Sequence, residues 1–321
     1  MPQPNAINVH LTKEQVEYVN AHVAEQFTFL DAVLAEAAKP KPDIDVIVST
    51  FEQSAVAYDK VTDPTLALTI KAEVQFHEKT IKAQAELDKL IPLFQEREKP
   101  EIKSKDGLKL QFQGEIATPT DAINSMIEQN GKAGVADIHQ KPAILEDLAQ
   151  NIPNIKGNTV WTEYLDHNGN KPGPSFALYD NGTKELYENF LASAAKAGKK
   201  IVGIDTRTGL FPSEPLRMAI SNHEWNKRIG EGTGLVIGGL GHFYGPAGGR
   251  TDELAPMPVF IGVKAEQSDV IALDDKSLAD FAITLPYWNA PTVEEINAAA
   301  AQAIPAKSPS ELPAPPNQLK R

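Results

Sequence analysis

Leu235-Val236-Ile237-Gly238-Gly239-Leu240-Gly241-His242 reads as a buried strand that runs out into glycines and stops on an imidazole. Three other short apolar runs have the same form. Gly134-Val135-Ala136 leads to Asp137 and His139, Val160-Trp161-Thr162 to Glu163, and Ile201-Val202-Gly203-Ile204 to Asp205. Stretches with helical spacing separate them: Ile144, Leu145 and Leu148 after Pro142, then Leu186, Phe190 and Leu191 after Thr183, then Leu216, Ile220 and Ile229 after Ser213. Strand–helix alternation of this kind predicts an α/β fold, a mainly parallel sheet flanked by helices. The strands of such a sheet end at one edge, where ligands bind in open α/β folds. Asp137, His139, Glu163, Asp205 and His242 are therefore expected to collect above that edge.

The chain ahead of this region reads as an all-helical appendage. Thr12 and Gln15 form a capping box, followed by Val16, Val19, Val23, Phe27, Leu30 and Leu34 at helical spacing, and Lys39-Pro40-Lys41-Pro42 stops the run. Residues 44–58 suit strand or helix equally. Asp63 with Pro64 opens a third helix, expected to continue through Leu66, Ile70, Val74 and Phe76 towards Leu93. Glu96 to Lys105 is a charge-dense joint, and the alternation of Leu108, Leu110 and Phe112 predicts a short strand or hairpin arm. Thr118-Pro119 then opens a helix. The expected organisation is a helical bundle or hairpin over 1–98, an α/β domain over 106–290, and a proline-rich, disordered tail over 304–321. Within the second of these, Val259-Phe260-Ile261 and Val270-Ile271-Ala272 are candidate edge strands.

Bulk properties narrow the function. Forty-three acidic against thirty-one basic residues give a net charge of −12, which argues against nucleic acid as a partner because no basic excess is available to release its counterions. The chain has no cysteine, so disulfides, thiolate metal sites and a cysteine nucleophile are excluded. No apolar stretch reaches membrane-spanning length, and Met1 to Asn8 lack the pattern of a signal peptide. A soluble chain is expected, cytoplasmic or delivered by a non-classical route.

Each candidate has a bland reading beside the functional one. Asp137 and His139 are two apart on a strand and face one side, where a carboxylate orients an imidazole or shares a metal with it; an exposed turn explains them equally. Glu163 and Asp205 end apolar strands, where a buried carboxylate needs a cation, a metal or a hydrogen-bond donor. Arg207 and Arg217 are the available cations, and Asp205 also suits a simple turn cap. Gly238-Gly239-Leu240-Gly241-His242 permits close approach of a ligand. It completes neither a dinucleotide fingerprint nor a phosphate loop, and Pro246 stands where a helix should open. His10, His22, His77, His167 and His223 read as surface or satisfied residues, and Trp225 carries little weight.

Taken in order, these motifs resemble the superfamily of erythromycin esterases, ChaN-like haem-uptake proteins and the TraB and Tiki proteins, related domains of which occur in bacterial toxins and effectors. Ala136-Asp137-Ile138-His139 resembles its first motif, Gly-Glu-x-His, with alanine for glycine and an acid one methylene shorter. Val160-Trp161-Thr162-Glu163, Gly203-Ile204-Asp205, Arg217 to Asn222, and Gly239-Leu240-Gly241-His242 resemble the later ones. The resemblance implies a hydrolase-like site acting on an ester or peptide-type bond of a small molecule or peptide, with enzymatic turnover left open. In it, His139, oriented by Asp137 or Glu163, deprotonates water, and His242 or Arg217 stabilises the oxyanion. Alternatively His139, His242 and Glu163 hold a divalent metal with an open position. Two other classes stay in view: a haem or metal carrier without turnover, with His139, His242 or Tyr164 as axial ligand, and a bacterial effector or toxin module.

Overall fold

The computed structural model describes residues 10–95, 118–137, 143–168, 172, 181–243, 259–260, 262–264, 269–271 and 282–285. The described residues fall into two compact units, one within Met1–Leu93 together with Arg207–Arg217, the other within Phe94–Thr206 together with Met218–Ala306.

The first unit is helical. α1 (Lys13–Ala37) starts on the expected box: Thr12 Oγ1 accepts from Gln15 N at 3.2 Å, and Thr12 N donates to Gln15 Oε1 at 2.8 Å. The ambiguous second stretch is a helix, α2 (Ile44–Asp59), with Asp43 accepting from the backbone of Asp45 and Val46. Ile47, Val48, Phe51 and Ala55 are all buried at helical spacing, so tertiary packing decides between two propensities that the sequence leaves balanced. α3 (Pro64–Phe76) begins on Asp63 as expected but does not run on to Leu93. His77 turns extended, with φ −77° and ψ 127°, and its Nδ1 accepts from Lys79 N to cap a new helix, α4 (Glu78–Leu87). A 3₁₀ turn at Asp88–Leu90 and α5 (Ile91–Gln95) follow. Inside the unit Ser54 Oγ donates to Gln26 Oε1 at 2.7 Å, which satisfies two buried polar groups. The returning segment carries Arg207, ion-paired with Asp59, and Phe211, 5.5 Å from Phe27.

The second unit has the expected α/β fold. α6 (Pro119–Asn130) starts on Thr118 and ends on Gly131, whose φ of 78° is left-handed. Then come β1 (Lys132–Asp137), α7 (Ala143–Asn151), β2 (Thr159–Asp166), α8 (Asn181–Lys196), β3 (Lys200–Asp205), α9 (Glu214–Arg228), β4 (Gly234–Gly239) and α10 (Leu240–Phe243). The last strand is shorter than expected, because Leu240 to Phe243 turn helical and place His242 on a helical turn. β5 (Val259–Phe260) pairs with β1, so the five-stranded sheet has the order β3-β2-β4-β1-β5 and is parallel throughout. β6 (Gly262–Lys264), β7 (Asp269–Ile271) and β8 (Ala282–Leu285) form a separate sheet of order β6-β8-β7, in which the run at 270 is an edge strand. The expected arm at 108–112 and tail at 304–321 lie outside the described residues. Among those described, no helix is long and apolar enough to cross a membrane.

Strand parity assigns two faces. Ala133 and Val135, Val160 and Tyr164, Leu235 and Ile237, and Phe260 pack with Ile123 and Met126 of α6, Leu145 and Leu148 of α7, and Tyr187 and Phe190 of α8. The alternate residues, Gly134, Trp161, Glu163 and Gly238 among them, face the other way, towards Trp225 of α9 and Phe243 of α10.

Candidate functional site

The chain leaves β2 for β3 on one side and β4 for β5 on the other, so the connections diverge above the β2–β4 pair. A divergence of this kind opens a crevice at the carboxyl edge of a parallel sheet. Glu163, near the end of β2, and His242, just past β4, meet at that edge, buried on the sheet face turned towards α9. His242 Nε2 lies 3.0 Å from Glu163 Oε2. Glu163 Oε1 accepts from Gly239 N at 2.6 Å. Both side chains are buried, Glu163 at 9% and His242 at 3% relative exposure. The donors a buried carboxylate needs are thus supplied by an imidazole and a backbone N–H.

Two α9 residues complete the cluster. Asn222 Oδ1 is 2.8 Å from His242 Nδ1, and Asn222 Nδ2 donates to the His242 carbonyl at 3.2 Å. The indole of Trp225 stacks on the imidazole, with centroids 4.1 Å apart and planes 15° apart. Both residues are fully buried. Asn222 entered the sequence reading only as the end of the Arg217 to Asn222 motif and Trp225 with little weight; among the described residues Trp225 Nε1 is a buried donor without a hydrogen-bond partner. The available signal was their spacing: three apart on a helix, they share a face and reach one side chain.

The other expected site residues that the structure describes have other partners. His139 is outside the described residues. Asp137, at the end of β1, faces α8 and accepts from Tyr187 Oη at 2.8 Å, so it sits on the sheet face opposite Glu163. Tyr164 is on Asp137's side, with its ring 3.9 Å from that of Tyr187. Asp205 ends β3, where its Oδ1 accepts from Thr206 N at 2.9 Å and its carbonyl from His167 N at 3.3 Å, in the manner of a turn cap. Arg217 forms a two-point contact with Glu214 of its own helix, at 2.6 and 2.9 Å. The edge of the sheet collects the ionisable residues, while its two faces sort them.

Of the three expected metal ligands, the two described ones direct Nε2 and Oε2 at each other. Among the described residues no third histidine, aspartate or glutamate joins them within ligand-to-ligand reach. Glu163 and His242 are a hydrogen-bonded dyad, and no step is routed through a metal here.

No protein-family model matches the chain, and no curated protein matches it. Among solved structures it is similar to the type III effector HopBA1, at 16% identity over 55% of this chain and 97% of that one, with a TM-score of 0.45. It is also similar to RRSP, a MARTX toxin effector domain from Vibrio vulnificus CMCP6, at 13% identity over 83% of this chain and 64% of that one, with a TM-score of 0.36. At these scores the likeness transfers no residue roles.

Proposed function

We propose that Glu163 and His242 form a proton-transfer dyad that activates water against an ester or peptide-type carbonyl. The observation that supports this most is the buried Nε2–Oε2 contact of 3.0 Å beside the carboxyl ends of β2 and β4. Glu163 takes a proton from water, the water oxygen adds to the carbonyl carbon, and the proton passes to the leaving oxygen or nitrogen as its bond to carbon breaks. His242 compensates the charge on Glu163 and holds its carboxylate in place. His139 stays the alternative base of this reading.

The test is a panel of p-nitrophenyl esters and peptide p-nitroanilides, assayed with and without divalent metal. Glu163→Gln and His242→Asn each lower the rate about 10²-fold or more if the dyad handles the proton. Equal rates in folded variants would refute the assignment. Titration of the same samples with haem separates turnover from carriage, since a Soret band abolished by His242→Asn identifies a binding protein. The effector or toxin context is a proposal about where such a site works, and is tested by the viability of host cells expressing the wild-type chain or Glu163→Gln.

A further inference from the structure

Asn222 is fully buried, and it holds His242 at two points. We propose that Asn222 is a positioning residue for His242 that keeps one proton on Nδ1, so that a second proton, on the line between Nε2 and Oε2, is the one exchanged with Glu163. The inference deepens the proposed dyad and rests on that reading for its functional meaning. Its geometry stands alone.

The direction of the Asn222 amide decides the matter. Nδ2 donates to the His242 carbonyl at 3.2 Å, which leaves Oδ1, an acceptor only, facing Nδ1 at 2.8 Å. An acceptor at that distance requires a proton on Nδ1. Turning the amide over would set Oδ1 against the carbonyl oxygen, two acceptors facing each other in a buried site. Trp225 adds a second constraint by covering one ring face at a 15° interplanar angle, which opposes rotation of the imidazole.

The chain Glu163–His242–Asn222 then has one mobile position, the line between Oε2 and Nε2. An amide suits this task better than a carboxylate. It orients the ring without placing a second negative charge beside buried Glu163, whose own carboxylate already needs every donor it has. Selection of one ring nitrogen by a bond at the other is how a neighbour controls an imidazole.

The full-length chain labelled with ¹⁵N-histidine tests this by long-range ¹H–¹⁵N correlation, with His242 assigned through His242→Gln. The wild type is expected to show a protonated Nδ1 and a downfield, slowly exchanging proton on it. Asn222→Asp keeps the acceptor and retains that signal, whereas Asn222→Leu loses it or exchanges about tenfold faster. An unprotonated Nδ1 in the wild type, or an unchanged Nδ1 proton in folded Asn222→Leu, would overturn the inference. If Asn222→Leu does not fold, the wild-type spectrum decides by itself, and an unprotonated Nδ1 there overturns the inference. Failure of the dyad is read separately: a Glu163→Gln variant as active as wild type removes the catalytic reading and leaves the tautomer assignment untouched.

Discussion

Replacing Gly238 by alanine should loosen the cluster without touching any polar group in it. A β-carbon at this position would overlap Cη2 of Trp225 and stand 3.1 Å from its Cζ3 and 3.3 Å from Glu163 Oε2. The indole has little room to yield, because the His242 ring is stacked on it at 4.1 Å and Trp225 is fully buried. Overpacking of this kind costs about 1–3 kcal/mol. At about 2–4 °C per kcal/mol for a domain of some 150–250 residues, the melting temperature falls by roughly 2–12 °C. Thermal unfolding followed by circular dichroism measures the shift, and near-ultraviolet dichroism reports whether the indole has moved. Gly230→Ala is the control, since the nearest atom to its new carbon is Arg228 O at 3.9 Å and its change should stay within about 0.5 kcal/mol. A Gly238→Ala protein that melts with this control, with its aromatic dichroism intact, would show that the indole is not pressed onto β4.

Two further perturbations test the rest of the α/β unit. Tyr187→Phe removes a buried donor from Asp137 and should cost about 1.5–3 kcal/mol, the range for bonds to charged groups; a melt within error of wild type would contradict the contact. Burial raises the Asp147 carboxyl above its ordinary value, against a smaller opposing effect of its bond from Asn151, and among the described residues Oδ2 has no hydrogen-bond partner. The folded chain therefore favours the neutral acid, and stability declines as pH rises from the ordinary carboxylate value through the raised one. Asp147→Asn should stabilise the protein at neutral pH, with the gain fading in acid; a pH-independent difference between the two melting curves would count against that sign.

The alternation of elements was legible because strand and helix periods are local properties. Ile201 to Asp205 cannot satisfy a helical stripe, nor can Leu216, Ile220 and Ile229 satisfy a strand. Caps were legible for the same reason, as Thr12, Asp63 and Thr118 each act within three residues of themselves. The chain from Ile44 to Asp59 was not, since Val46, Ile47 and Val48 favour either state until Phe51 and Ala55 find a core. His77 ended a helix that periodicity carried onward, because its ring caps the next one.

The partnership of Glu163 with His242 belonged to the tertiary structure. Each residue could be placed at a strand end from sequence alone, but their meeting depends on β4 inserting between β1 and β2, an order that local patterns do not encode. The separation of Asp137 from Glu163 has the same origin. Parity within a strand is readable, yet which parity turns towards α8 or towards α9 is decided only when strands pair and helices choose faces. Local chemistry supplied the candidates, and long-range register chose their partners.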